Sequence, residues 1–303
     1  MGKVAILLMA YGTPENESDI EPYLADIRRG RPVSQEFIQE LKQRYRRIGG
    51  RSPLLDITKA QASALERILH EQGFSSARTY IGMKHWHPYI KEVVPEILRN
   101  GHERMIALTL APHFSNMSIG GYKVALEEAL GRDSPIKTTF IESWHHSPLY
   151  HKAVAEKIKK ALSNFYSQNV HVIFTAHSLP ERILKMKDPY PEQLNASCAA
   201  VAKIVGLEKW MFAYQSAGET SEKWLGPDLL EALHEISGKT DNAQVLVVPI
   251  GFVADHLEIL FDIDVEAQEY ARKLKITLNR TESMNATPTF IAALADVVGK
   301  QIR

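Results

Sequence analysis

Short apolar runs alternate with helix-like stretches along the whole of this chain, and that alternation leaves few folds open. Runs of Val, Ile, Leu and Met of strand length, bounded by Gly, Pro and polar residues, read as strands buried on both faces, the habit of parallel sheets. Helical stretches between them make βαβ units. In the first half the expected strands cover residues 4–9, 78–83, 106–111 and 137–140, and in the second 171–176, 209–214, 245–250 and a short one near 275–279. Residues 34–48, 58–72, 151–165 and 191–205 read as helices between them. The class is α/β.

The two halves echo one another in order. ILLMAYGTP answers VIFTAHSLP, YIGMKHWHP answers FAYQSAGET, and IALTLAPHF answers VLVVPIGFV. No fixed short period is present, so the pattern is two similar domains and not a solenoid. A chain of 303 residues has the length for about two domains. The apolar periodicity breaks at SWHHSPLY, residues 143–150, which divides the chain into 1–146 and 147–303. The last helix is expected to stay with the second half or to pack back on the first. If the halves face each other, Tyr11 and His177 sit at equivalent strand ends and look at one ligand from opposite sides.

Charge and cysteine usage remove several classes. With 36 basic and 36 acidic residues the formal net charge is +0, which favours neither nucleic acid nor an anionic membrane as partner. Cys198 is the only cysteine. It rules out an intrachain disulfide, a thiolate zinc site and a protein-ligated iron–sulfur cluster, and it suits a reducing cytoplasm. MGKVAILLMAYGTP reads as a first buried strand and not as a signal peptide, and no apolar stretch approaches the ~18 residues of a membrane span. The chain reads as a soluble, cytoplasmic protein.

Chemistry concentrates where strands run out. In open α/β sheets ligands bind beyond the carboxyl ends of the strands. HVIFTAHSLPE delivers His177 there, and VLVVPIGFVADHLEIL delivers Asp255, His256 and Glu258. A lone histidine in such a place is as readily a cap on the next helix. Paired with Glu258 from a second strand end it suits a divalent metal, or proton abstraction beside one. Glu258, Asp262 and Glu266 stand four residues apart, three carboxylates on one helix face that repel unless a cation compensates them. A solvated acidic face is the alternative. In SQEFIQELKQRYRRIGG, Arg44 falls on the apolar stripe of Phe37, Leu41 and Ile48, where an inward arginine wants a bidentate carboxylate. Arg28 is a second such candidate, Ser52 a hydrogen-bond donor, Tyr11 a packed aromatic or a phenolate ligand for iron, and Tyr122 a contact for a planar ligand. No G-x-G-x-x-G or Walker A pattern appears.

Taken together, MAYGTP, IRRGRP, IGGRSPL, YIGMKH, APHFS, TAHSLPE, DPYPEQL, YQSAGETSEKWLGPDL, PIGFVADHLEIL and PTFIAALAD resemble, in order, the ferrochelatase family, and within it the coproporphyrin branch of Gram-positive bacteria. The resemblance implies two Rossmann-like halves with a porphyrin in the cleft between them, and insertion of Fe(II) into coproporphyrin III to give coproheme for haem b synthesis. It implies His177 and Glu258 as metal-binding and proton-accepting groups, with a neutral His177 taking a pyrrole proton. Tyr11 then ligates the product iron from the opposite face, and Asp262 and Glu266 form a path for metal or protons. Arg28, Arg44, Tyr45, Ser52 and Tyr122 join Tyr11 as porphyrin contacts. No tightly bound cofactor is implied beyond the substrate Fe(II). A monomer is expected, with transient handover of product to the next enzyme of the pathway. The competing readings are a protoporphyrin IX ferrochelatase, a cobalt chelatase with a different set of site histidines, and a haem or metal carrier without insertion activity.

Overall fold

The computed structural model describes residues 2–166, 169–218 and 220–303; Glu219 of the YQSAGET motif lies outside the described residues. The chain forms two compact units. One comprises Met1–Trp144, Ala254–Leu257 and Asn285–Arg303, the other His145–Val253 and Glu258–Met284.

Among the described residues each unit holds one sheet of four parallel strands. In the first, β1 (Val4–Ala10), β2 (Ala77–Met83), β3 (Arg104–Thr109) and β4 (Lys137–Ile141) lie in the order β2-β1-β3-β4. In the second, β5 (Val170–His177), β6 (Met211–Gln215), β7 (Gln244–Val248) and β8 (Thr277–Arg280) repeat that order as β6-β5-β7-β8. The echo between the halves is therefore an echo of topology: the strands that answer each other in sequence occupy the same places in the two sheets. β1 is buried along its whole length because it is central and covered on both faces, which is why it reads as VAILLMA without a polar break. β2 is an edge strand, and its exposure is mixed accordingly.

Most strand ends fall within two residues of those expected. His177, expected just past a strand, is the last residue of β5. The helix expected from residue 58 begins at Leu54, with Pro53 at its N-cap and Ser52 Oγ accepting the Leu54 N–H. Ser147 is the N-cap of the helix Pro148–Leu162, its side chain accepting the Tyr150 N–H, and the break at 143–150 is the passage from Trp144 of one unit to His145 of the other.

Asp255 and His256 belong to the first unit, where Asp255 exchanges hydrogen bonds with Asn285 at 2.8 and 2.9 Å, while Glu258 is counted with the second. One expectation is corrected: the segment after them is not an α-helix. Glu258–Ala267 is a π-helix, followed by the short α-helix Gln268–Lys273. Its wider turn brings residues four and eight apart closer into line than an α-helix would, so the row of Glu258, Asp262 and Glu266 keeps one face. The terminal helix Pro288–Ile302 packs with the first unit against the helix Leu54–Glu71, and Arg104 of β3 donates to the carbonyls of Gln301 and Ile302.

Candidate active site

In a sheet ordered β6-β5-β7-β8 the connections leave β5 and β7 in opposite directions, so the crevice beyond their carboxyl ends is the expected ligand position. His177 ends β5, and Glu258 opens the π-helix beyond β7. Their side chains meet there, with His177 Nε2 3.5 Å from Glu258 Oε1 and about a third of each side chain exposed. The other ring nitrogen, Nδ1, donates to the carbonyl of Ser178. That is the orientation of a metal-binding histidine, one nitrogen tied to a carbonyl and the other presented. The gap also fits an ion. Two ligand bonds of ~2.1 Å, as to zinc, span 3.5 Å at an angle of roughly 110°, near tetrahedral. Among the described residues no group of three or more His, Cys, Asp and Glu gathers to hold a metal, so the pair leaves positions open for other ligands.

Protonation differs from the sequence reading. Burial works against charge on His177, but the Glu258 carboxylate beside it outweighs that effect, and the imidazole pKa is pushed up to about 9. That direction favours the imidazolium form of His177 beside Glu258 when no metal is bound.

The supporting residues were not singled out from sequence. Tyr190 donates its hydroxyl proton to the His177 carbonyl at 3.0 Å, and the Trp224 ring lies 6.4 Å from the His177 ring, centroid to centroid. Ser216, held at φ +59°, donates its hydroxyl proton to Asp262. Gln215 binds the Glu258 carbonyl. Glycine fits Gly251 closely: a Cβ there would stand 2.5 Å from the Ala176 Cβ. The signal available was the motif YQSAGET at a strand end equivalent to that of YIGMKH. Along the π-helix, exposure rises from the buried Asp262 to the exposed Glu266.

In the first unit, Tyr11 follows β1 and is 43% exposed, its ring 4.6 Å from that of His85, which Asp26 holds at 2.9 Å. Gly12 behind it takes φ +98° under the Trp86 backbone, leaving no room for a side chain. Arg28 is exposed just beyond the helix Ile20–Ile27, and Ser52 is buried at the start of the helix Leu54–Glu71. Arg44 is half-buried and paired with Glu40 one turn earlier. The buried Ile38 and Tyr45 share the core-facing side of the helix Gln35–Arg47 with the partly buried Phe37, Leu41 and Ile48, and Arg44 lies at the edge of that stripe beside Phe37. Tyr45 is buried, and its hydroxyl shares a 2.9 Å hydrogen bond with Thr13. Tyr122 packs beside β1 and β3 with the Lys84 ammonium 5.0 Å from its ring centroid.

Comparison with known proteins bears on the family and the fold. The ferrochelatase family model matches residues 3–302. The chain belongs to the ferrochelatase family. It is 42% identical to a ferrochelatase of Herpetosiphon aurantiacus, with 99% of each chain covered, and 39% identical to the coproporphyrin III ferrochelatase of Bacillus subtilis, covering 99% of this chain and 98% of the relative. Solved chelatases share the fold at low identity. SirB from Bacillus subtilis with Fe3+ superposes with a TM-score of 0.61 at 14% identity, covering 98% of this chain and 95% of that one. CbiX, described as the terminal enzyme for siroheme biosynthesis in denitrifying bacteria, gives 0.56 at 11%, covering 98% of each. This ferrochelatase is thus a metal-inserting enzyme of haem biosynthesis. Among its described residues no helix is long and apolar enough to cross a membrane.

Proposed function

We propose that this ferrochelatase inserts Fe(II) into coproporphyrin III, using His177 and Glu258 to bind the metal ion and to take up the protons it displaces. The observation that carries this reading is the 3.5 Å imidazole–carboxylate pair at the strand ends, with Nδ1 tied back and Nε2 presented. Insertion releases two pyrrole protons for each ion taken in. Fe(II) first displaces the Nε2 proton. As the ion moves to the ring nitrogens, imidazole and carboxylate are freed to accept the two pyrrole protons, so the pair returns to its starting charge once one proton has left. Asp262 and the exposed Glu266 continue the row outward and serve as the route for that proton, or for metal entry.

Coproporphyrin carries four propionates, and Arg28, Arg44 and Ser52 are the proposed partners for some of them. Tyr11 is the proposed ligand of the product iron, a role in which the metal lowers the phenol pKa. The relatives named for coproporphyrin III support this substrate, while two relatives at 42% identity carry the plain name ferrochelatase, which keeps protoporphyrin IX as the second reading. The proposed setting is the cytoplasm, with release of coproheme to the next enzyme.

Anaerobic incubation with Fe(II) and each porphyrin, followed by absorbance, separates the two. A higher kcat/KM for coproporphyrin supports the reading, and equal or faster turnover of protoporphyrin overturns the substrate. His177→Ala is expected to abolish insertion while porphyrin still binds; near-normal turnover by that folded variant removes the site assignment.

A further inference from the structure

Gln215 is 2% exposed and ends β6, in register with His177 at the end of β5. Both ends of its amide are engaged. Oε1 accepts from Thr175 Oγ1 at 2.8 Å, and Nε2 donates to the backbone carbonyl of Glu258 at 3.2 Å. The Glu258 carbonyl can only accept, so the amide orientation is fixed by its partner. Thr175 is fully buried and lies two residues before His177 on β5. The main chain adds another link: the Gln215 carbonyl accepts the Ser178 N–H at 2.8 Å, and the Ser178 carbonyl is the group that holds His177 Nδ1.

One side chain therefore ties the strand that delivers His177 to the first turn of the helix that delivers Glu258. A buried amide is an odd choice for filling that space, since a methionine packs as well and needs no partners. What the amide supplies is a set of directed bonds of fixed length between two elements that otherwise meet through apolar contacts and the His177–Glu258 pair itself.

We propose that Gln215, through Thr175, is the positioning residue that sets the separation of His177 and Glu258, and with it the fit of that pair to the incoming metal ion. The inference rests on the reading of the pair as the metal-handling site. Gln215 touches neither ion nor porphyrin and acts through the other two residues. Removing the amide leaves the Glu258 carbonyl with one partner fewer and lets the π-helix drift against β5. The loss should fall on metal binding and spare the porphyrin.

The test uses the full-length enzyme with Gln215→Met, Thr175→Val, Thr175→Ser and the Thr175→Val/Gln215→Met double variant, with His177→Ala as reference. Zn(II) binding without porphyrin, KM for Fe(II), KM for porphyrin and the unfolding midpoint are measured for each. Gln215→Met is expected to weaken Zn(II) binding and raise KM for Fe(II) by about tenfold, the scale on which small misplacements act, with porphyrin KM unchanged within about twofold. Thr175→Val should move in the same direction, Thr175→Ser should restore wild-type values because it keeps the hydroxyl, and the double variant should be no worse than Gln215→Met alone. Equal losses for metal and porphyrin, or a lowered unfolding midpoint with metal affinity intact, would make Gln215 an ordinary core residue and overturn the proposal. If Gln215→Met does not fold, the contrast between Thr175→Val and Thr175→Ser decides, and equal behaviour of those two overturns it. Loss of Zn(II) binding in His177→Ala alone, with all Gln215 and Thr175 variants normal, refutes the positioning role while leaving the site intact. Retained Zn(II) binding and turnover in His177→Ala refutes the site itself.

Discussion

Replacing Gly251 by alanine tests how tightly the catalytic strand ends are packed. An added Cβ would lie 2.5 Å from the Ala176 Cβ and 2.9 Å from its Cα, both on β5, and Ala176 is the residue before His177. Carbon atoms rest at ~3.5–4.0 Å, so at least about 1 Å must be recovered by moving one chain against the other. Neither is free to yield cheaply: Ala176 is fully buried, the Gly251 N–H donates to the Thr175 carbonyl at 3.1 Å, and Tyr150 holds the Ile250 carbonyl. Overpacking of this kind costs about 1–3 kcal/mol. A displacement of ~1 Å at His177 can lower insertion by up to ~10²-fold. Thermal unfolding of Gly251→Ala should drop by several degrees, and anaerobic Fe(II) insertion, followed by loss of free-base porphyrin absorbance, should fall further than the stability loss accounts for. An unfolding midpoint within about a degree of the wild type together with unchanged turnover would refute the reasoning.

Three further outcomes are expected. Burial, with His146 and His151 nearby, holds the buried His145 pKa down to about 4 against an ordinary value of 6.5, so the unfolded chain binds the extra proton first. Stability is then complete above pH 6.5 and declines as pH falls toward 4, by on the order of 2–3 kcal/mol, and denaturant titrations across that range should show a shallower slope in His145→Gln. Arg44→Ala should weaken coproporphyrin more than protoporphyrin, on the order of 1.5–3 kcal/mol for a charged hydrogen bond, as read by fluorescence titration; equal losses would assign Arg44 to its pair with Glu40. Tyr11→Phe should alter the absorbance and resonance-Raman spectrum of bound ferric product while insertion persists, and an unaltered spectrum would leave Tyr11 as a packing residue.

The strands could be read from the residues because parallel strands buried on both faces are unbroken apolar runs, and paired motifs such as ILLMAYGTP and VIFTAHSLP mark equivalent strand ends, whereas their order within each sheet came only from the structure. His177 and Glu258 were legible for the same reason: each follows such a run. The π-helix was not, because a row of carboxylates at every fourth residue suits an α-turn and a π-turn alike. In the helix Gln35–Arg47 the stripe of Phe37, Leu41 and Ile48 was legible, but the burial of Tyr45 was not, because its hydroxyl looks polar in a sequence and is satisfied by Thr13. The partner of Asp255 was not legible, because Asn285 lies 30 residues on in a segment with no pattern of its own. Gln215 gave no signal at all: a glutamine ending a strand looks like the start of a loop, and only sheet pairing brings it beside His177.

The division of the chain also fixes an order of assembly during synthesis. The first unit precedes the second in sequence but also needs Asn285–Arg303, which follow it; the second is complete in sequence once Met284 has emerged. The later-made unit can close while the earlier one still waits, with the apolar flank of the helix Leu54–Glu71 uncovered until Pro288–Ile302 arrives. A nascent chain stalled before Pro288–Ile302 emerges would thus expose the earlier-made unit and not the later one, and a chaperone that binds apolar surface would find its target there.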